Sequence, residues 1–252
     1  MRVTILGSGS AFSSPNRHNS CYLVESENER IMIDCGSDAM RAIQNARVDL
    51  SSIKAIFITH MHADHCGGLP SVITAMHVAD RKEPIDVFVP HTQLRFVGTW
   101  FFNMFIFVEK LTFSVSLQPI YSGSVNLRNR MELKFVETRH LEKHSAYAGE
   151  AGIRPLSYSV VVRSGASQFF FSSDIGSVDE VKPFLDSTIS LVEATHPSLE
   201  EIAALARRDN GALYFTHIPQ ELEENGEWKK ELEIRFGVKN LNVVHDGQVL
   251  VV

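Results

Sequence analysis

Three histidines and an aspartate crowd the stretch FITHMHADHCGG, residues 57–68. These are His60, His62, Asp64 and His65, although the whole chain of 252 residues has only 11 histidines. Zinc binds imidazole and carboxylate groups in proteins, and iron and manganese do so as well. Burying four such groups without a metal would be costly. The crowding therefore predicts a metal site.

The spacing within this cluster divides it between two metal positions. Residues two apart in an extended segment point the same way, so His60 and His62 can face one ion. Asp64 and His65 follow where the chain turns, and they can face a second point nearby. Four ligands do not saturate two metals, so other parts of the chain must supply the rest.

Short apolar runs recur along the chain and read as strands. Six of them end in an acid or an imidazole: Asp34, His60, His140, Asp174, His196 and His217. Ligand sites in α/β folds commonly form where strand ends converge. We therefore expect His140, Asp174 and His217 to complete the metal site.

Helices are predicted over 69–80 and 198–209, and the tail is expected to form a hairpin around Asp246 and Gly247. Strands and helices alternate in the middle of the chain, with hairpin-like segments towards both ends. That order favours two mixed sheets with helices outside. No repeat or linker interrupts the pattern, so we expect residues 1–252 to form a single domain.

Composition limits the classes of function. The apolar content of 44% allows a sizeable core, and the net charge of -6 argues against a surface that is wholly devoted to nucleic acid. A small phosphate substrate stays open. No run reaches the roughly 18 apolar residues of a membrane span, and the first residues lack a signal-peptide pattern, so we expect no membrane association. Three cysteines, Cys21, Cys35 and Cys66, give no disulfide framework and predict a reducing, cytoplasmic location.

The segment THMHADH resembles the His-x-His-x-Asp-His motif of the metallo-β-lactamase superfamily. Further motifs resemble that family in the same order: Asp34 in IDCG, His140 in ETRH, Asp174 in FSSD and His217 in FTHI. The resemblance covers the chain from residue 1 to about residue 250. It implies an α/β fold, a four-layer αββα sandwich of two mixed β-sheets.

The same resemblance implies two divalent metal ions and divides their ligands into two sets. The sets are His60, His62 and His140 for one ion, and Asp64, His65 and His217 for the other. Asp174 would bridge the two ions, and Asp34 would orient a ligand from behind. We expect zinc, with manganese or iron as alternatives.

The acidic bridge is shared by the superfamily's phosphodiesterases, glyoxalases and quorum-signal lactonases, whereas true β-lactamases usually have Cys there. Two stretches resemble the ribonuclease Z subgroup and smaller relatives such as the cyclic phosphodiesterase of the phosphonate pathway. They are the opening stretch ILGSGSAFSSPNRHNSCYLVE and the later stretch VEATHPSLEEIAALA, which is followed by LYFTHI. Ribonuclease Z proper has a long arm that grips tRNA. Only residues 141–173 separate His140 from Asp174, so the arm is absent and extended tRNA binding is not expected.

His196 lies in THP, in a placement similar to that of the smaller cyclic phosphodiesterase. The resemblance suggests that His196 donates a proton to the leaving oxygen, which is common work for a histidine near neutral pH. The alternative is a polar residue that caps the helix beginning near Ser198. Asp64 would ligate a metal and orient the nucleophile.

His18, Asn19 and His144 are candidates for substrate contact, although His144 is also read as a simple exposed loop residue. The segment from Phe96 to Phe113 concentrates seven aromatic residues. It is read as core packing or a homodimer interface, as an apolar wall for a nucleobase or acyl chain, or as a membrane contact.

The sequence favours a dinuclear metal-dependent hydrolase, most of all a phosphodiesterase for a small cyclic or nucleotide-like phosphodiester or an RNA end. One alternative is a carboxylic-ester or lactone hydrolase on the same site. Another is a protein that binds a ligand without turnover, which the complete ligand set disfavours.

Overall fold

A computed structural model describes residues 1–12, 14–27, 29–127, 131–207, 212–225, 227–238 and 241–252. The strands are β1 (Arg2–Gly7), β2 (Cys21–Ser26), β3 (Glu29–Ile33), β4 (Ala55–Phe57), β5 (Ile85–Pro90), β6 (Val115–Ile120), β7 (Gly123–Leu127), β8 (Met131–Thr138), β9 (Ser157–Ser164), β10 (Ser167–Phe171), β11 (Ile189–Glu193), β12 (Leu213–Thr216) and β13 (Val249–Val251). The helices are α1 (Ala39–Asn45), α2 (Ala63–Cys66), α3 (Leu69–Val78), α4 (Leu94–Asn103), α5 (Ser145–Glu150), α6 (Leu199–Ala206), α7 (Gln220–Asn225) and α8 (Trp228–Phe236).

The strands form two mixed sheets. The first has the order β13-β1-β2-β3-β4-β5-β6, and its strands from β3 to β6 run parallel. The second has the order β12-β11-β10-β9-β8-β7, with β10, β11 and β12 parallel and the others antiparallel. The predicted pair of mixed sheets is confirmed.

The main apolar core lies between the two sheets. Along β4, Ala55 and Phe57 point into this core, while Ile56 points to the outer face, as the two-residue period of a strand requires. The ring of Phe57 stacks on Phe88 of β5 at 4.4 Å and lies 5.6 Å from Phe135 of β8 in the opposite sheet. Both faces of β4 are covered, which explains its uninterrupted apolar sequence.

Helices cover the outer face of each sheet. Ile43 of α1, Met76 of α3 and Phe101 of α4 pack on the first sheet. Ile202 of α6 and Trp228 of α8 pack on the second sheet. The layers therefore follow the order αββα, which confirms the predicted fold class.

The aromatic segment is divided between core and surface. Phe101 and Phe113 are buried in the outer core of the first sheet, whereas Phe102 and Phe105 are exposed. Core packing thus accounts for part of the segment. Among the described residues, no helix has the length and apolar character needed to cross a bilayer.

The predicted hairpin at the tail is wrong, although its turn is present. Gly247 has a φ of 82°, and the Gln248 N–H donates to the His245 carbonyl at 3.1 Å. The two arms then join different sheets: β13 pairs with β1, and Val243 forms a bridge with Phe215 of β12. β1 and β12 would otherwise be open sheet edges, and covering both edges outweighs pairing the arms with each other.

Candidate metal centre

The candidate ligands follow the carboxyl ends of strands from both sheets. His60 comes three residues after β4, and His140 comes two residues after β8. Asp174 comes three residues after β10, and His217 directly follows β12. Asp64 and His65 lie in α2, the short helix that follows β4 along the chain.

The first group consists of His60, His62, His140 and Asp174, whose ligand atoms all lie within 4.8 Å of one another. His140 Nε2 is 3.2 Å from His62 Nδ1 and 3.5 Å from Asp174 Oδ2. His60 Nε2 is 3.8 Å from the same oxygen. The structure thus brings together the three histidines that the resemblance to the metallo-β-lactamase superfamily assigns to one ion.

The second group consists of Asp64, His65 and His217, again within 4.8 Å of one another. His65 Nε2 and His217 Nε2 are each 3.6 Å from Asp64 Oδ2. Asp174 Oδ1 lies 3.1 Å from His65 Nε2 and 3.4 Å from His217 Nε2. One Asp174 oxygen therefore faces each group, as a bridging carboxylate would.

Several buried atoms of the cluster have no hydrogen-bond partner among the described residues. They are His60 Nε2, His65 Nε2 and Asp174 Oδ1, the last two of which lie 3.1 Å apart without the geometry of a hydrogen bond. Unpaired polar atoms are costly in a protein interior, and divalent cations held by the two groups would satisfy all three. Burial also lowers the pKa of His60 and lowers the pKa of His140 to about 3, which favours the neutral imidazole that binds metals. Burial acts in the same direction on His65, but the charges of Asp174 and Asp34 outweigh it and raise the pKa of that imidazole. The cluster thus suits divalent metal ions.

Residues behind the cluster fix the orientation of two histidines. Asp34 Oδ2 accepts a hydrogen bond from His65 Nδ1 at 2.7 Å, while Asp34 Oδ1 accepts from the N–H of Thr59 at 2.8 Å. Ser20 Oγ lies 3.0 Å from His217 Nδ1. Each contact engages Nδ1 and turns Nε2 towards the cluster, which is the supporting position expected for Asp34.

His196 lies beside the first group and is held by Glu193. The two imidazole rings of His196 and His140 are 4.6 Å apart, and His196 Nδ1 is 2.8 Å from Glu193 Oε1. Partial burial lowers the pKa of His196, but the hydrogen bond to Glu193 and the charge of Glu193 outweigh it and raise the pKa. The cap of α6 is Ser198, which accepts from the N–H of Glu201, so capping does not explain His196.

Glu193 is a functional candidate that the sequence analysis did not identify. It is fully buried, and its carboxylate also accepts from the N–H groups of Ile175, Thr195 and His196 at 2.9–3.0 Å. The available signal was an acid at the end of β11, three residues before His196. A buried carboxylate with four donors is a rigid support for the imidazole.

The three predicted substrate contacts lie in different surroundings. The His144 ring is exposed and lies 6.2 Å from the His62 ring. His18 Nδ1 is 2.7 Å from Asp246 Oδ2, and Asn19 is buried with its amide donating to the Ser10 carbonyl at 2.7 Å. The structure thus brings His144 to the cluster and gives His18 and Asn19 internal partners. Substrate contact by all three stays a prediction.

A cavity of about 580 Å³ opens beside the first group and His196. Its lining residues are Arg139, His140, Glu142, Lys143, Ile175, Gly176 and His196. Small-molecule sites commonly have volumes of about 300–1,000 Å³. The cavity therefore has the size of a site for a nucleotide-sized ligand.

Several known proteins are similar to this chain. Ribonuclease Z of Methanosarcina acetivorans is 28% identical over 160 residues, which cover 62% of this chain and 50% of that protein. The chain thus spans about half the length of this curated relative.

Two solved structures share the fold over nearly their whole length. The metallo-β-lactamase fold protein YhfI from Bacillus subtilis superposes with a TM-score of 0.75 at 18% identity, covering 99% of this chain and 98% of YhfI. The short form of human tRNase Z superposes with a TM-score of 0.72 at 21% identity, covering 100% of this chain and 99% of the human chain.

The fold and the histidine–aspartate cluster define a metallo-β-lactamase superfamily protein with ribonuclease Z-like sequence. A family model described as anti-Pycsar protein Apyc1 matches residues 1–239. The chain belongs to that family.

Proposed function

We propose that the chain is a dinuclear metal-dependent phosphodiesterase that hydrolyses a small cyclic or nucleotide-like phosphodiester or an RNA end. The position of Asp174, with one carboxylate oxygen facing each histidine group, carries this proposal. Such an arrangement suits two metals that act together on one phosphoryl group. The ribonuclease Z relatives support phosphodiester chemistry.

In this proposal the two ions are zinc, with manganese or iron as alternatives. The ligands are His60, His62 and His140 for one ion, Asp64, His65 and His217 for the other, and Asp174 for both. When bound, such a pair lowers the pKa of water and offsets the negative charge that develops on the phosphoryl oxygens.

The protein residues then orient the reactants and move the proton. Asp64 is mostly buried, with 7% of its side chain exposed at the surface of the site, and it orients the attacking water. Glu193 accepts the Nδ1 hydrogen of His196, which leaves Nε2 free to donate a proton to the leaving oxygen. The Glu193 carboxylate stabilises the imidazolium before this transfer.

The size of the cavity, the short connection between β8 and β9 and the family of the chain support the proposed substrate class. A cavity of about 580 Å³ suits a mononucleotide, whereas the short connection between β8 and β9 lacks an extended arm for tRNA. The family description, anti-Pycsar protein, supports the further proposal that this hydrolysis acts against Pycsar.

We also propose that residues 1–252 form one hydrolase domain, that it is cytoplasmic with free thiols, and that it forms a homodimer.

The test is hydrolysis of a chromogenic aryl phosphodiester by protein loaded with zinc or manganese. We expect turnover that a chelator abolishes and that Asp174→Ala reduces to background, because Asp174 faces both groups. Asp179→Ala is the matched control, since Asp179 is exposed and paired with Lys182. Chelator-resistant turnover, or full turnover by Asp174→Ala, contradicts the proposal.

A carboxylic-ester or lactone hydrolase is the second candidate. The position of Asp174 is compatible with it as well, because the lactonases of the superfamily also carry an acidic bridge. Turnover of lactones but not of phosphodiesters by metal-loaded protein would support it. Absence of turnover on both, with both metals bound, would indicate a binding protein.

A further inference from the structure

Two cationic side chains line the cavity beside His196, and they differ in whether an acidic side chain already pairs with them. Arg139 Nε donates to Glu180 Oε1 at 2.9 Å, so its charge is already paired. Lys143 lines the same cavity, and within the described part of the chain it forms no ion pair. Besides the imidazole of His196 and the carboxylate of Glu142, which also line the cavity, the charge that remains available to an anion is therefore that of Lys143.

The backbone that carries Lys143 is well anchored. The N–H of Glu142 donates to the Arg139 carbonyl at 3.0 Å, and the N–H of His144 donates to the Leu141 carbonyl at 2.9 Å. Leu141 is buried and fixes the turn against the protein. Lys143 thus follows His140 by one rigid turn, while its four-carbon side chain stays free to reach a ligand.

The charge of the whole chain gives this lysine a distinct electrostatic role. The amino-acid chain has a net charge of -6, so without its metal ions it repels an anionic substrate at long range. An exposed ammonium that lines a cavity and has no ion-pair partner among the described residues attracts a phosphoryl group and raises its local concentration. Lysine binds phosphate as a point charge and does not need the planar geometry of arginine.

We propose that Lys143 is a substrate-binding residue whose ammonium contacts a phosphoryl oxygen between His140 and His196. The inference rests on the proposed function and adds to it the residue that recognises the anion. Metal ligands and His196 act on the reacting bonds, whereas Lys143 holds an oxygen that does not react. Lys143 therefore acts on binding more than on the chemical step.

The first experiment measures binding of inorganic phosphate to the metal-loaded full chain by calorimetry. Charge-assisted contacts contribute enough free energy that Lys143→Ala is expected to weaken binding about tenfold. Lys143→Arg keeps the charge and is expected to bind within about threefold of the wild type. Lys110→Ala is the control, because Lys110 is exposed in a turn after α4. Equal phosphate affinity in Lys143→Ala and the wild type would overturn the proposal.

The second experiment separates this inference from the proposed function. With an aryl phosphodiester, Lys143→Ala should raise KM about tenfold with little change in kcat, and added salt should weaken the wild type more than the variant. Wild-type turnover with an unchanged KM in Lys143→Ala refutes the role of Lys143 and leaves the phosphodiesterase standing. Absence of wild-type turnover refutes the phosphodiesterase, and the phosphate titration still decides whether Lys143 binds the anion.

Discussion

Each histidine of the site has two ring nitrogens, and the neighbouring side chain decides which one faces inward. Asp34 engages Nδ1 of His65, and Glu193 engages Nδ1 of His196. In both cases Nε2 is left for a metal or a substrate. Ser173 extends this support across the two sheets, because its hydroxyl donates to Thr59 Oγ1 at 2.8 Å.

Asp34→Asn is expected to lower metal affinity about 10- to 100-fold. The asparagine keeps the shape and tolerates the left-handed φ of 59° at this position, but it loses the charge that holds His65. Metal titration against a chromogenic chelator measures the change. Asp80→Asn, at an exposed position with a similar φ of 58°, should bind metal like the wild type. Unchanged affinity in Asp34→Asn would show that His65 does not need this support.

His196→Ala is expected to reduce turnover far more for phosphodiesters with poor leaving groups than for activated aryl phosphodiesters. A good leaving group departs as a stable anion and needs no proton. Parallel kcat measurements on an alkyl and a nitrophenyl diester make the comparison. Glu193→Gln should show the same selectivity to a smaller degree, and equal losses on both substrates would exclude the general acid.

At the scale of elements, the site depends on how closely the segments after β8 and β10 approach each other. A Cβ added at Gly176 would lie 2.8 Å from the backbone carbon of Arg139, closer than such atoms pack. Gly176→Ala must therefore push apart the segments that carry His140 and Asp174. We expect weaker metal binding and lower activity, measured by metal titration and turnover. Gly149→Ala is the control, because a Cβ added there would meet no atom of the described part of the chain within 4 Å.

The capping box of α6 gives a prediction about stability. Ser198 accepts from the N–H of Glu201, while the Glu201 carboxylate accepts from the N–H of Ser198 at 2.9 Å. Ser198→Ala is expected to lower the free energy of unfolding by about 1 kcal/mol in urea denaturation. Ser198→Thr should keep most of it. No loss in Ser198→Ala would mean that packing alone determines where α6 begins.

At the scale of the whole molecule, the candidate ligands join the two sheets. His60, His62, Asp64 and His65 belong to the first sheet and its connections, whereas His140, Asp174 and His217 follow strands of the second. Bound metal would therefore cross-link the sandwich at one end. Without metal, three buried polar atoms in this region lack hydrogen-bond partners among the residues that the structure describes.

Chelation is accordingly expected to lower the Tm of the whole domain. Free metal at about 100 times its Kd stabilises the folded state by about 2.7 kcal/mol, provided that the unfolded chain does not bind it. Thermal unfolding with and without chelator measures this difference. His217→Ala should reduce the stabilisation by metal, and a Tm that is independent of metal in the wild type would contradict cross-linking.

Sequence reasoning works best where interactions are local. The strand before His60, the helix at 69–80 and the grouping of His60 with His62 all follow from residue types and spacing within a few positions. The prediction of a hairpin at the tail was wrong because strands that are distant in sequence compete for the same pairing partner. The sequence predicts the turn at Gly247, but it does not predict that the two arms pair with β1 and β12.

The sequence by itself determined the chemical character of the site, because ligand types and their local spacing are properties of the chain. Only the tertiary structure decided which atoms meet. Asp174 lies between the two histidine groups, and Glu193 directs His196. Among the described residues, Glu180 engages Arg139, whereas Lys143 lines the same cavity without an ion pair. These outcomes depend on contacts between residues that are distant in sequence or on the side-chain rotamers that packing selects, and neither is encoded in local periodicity.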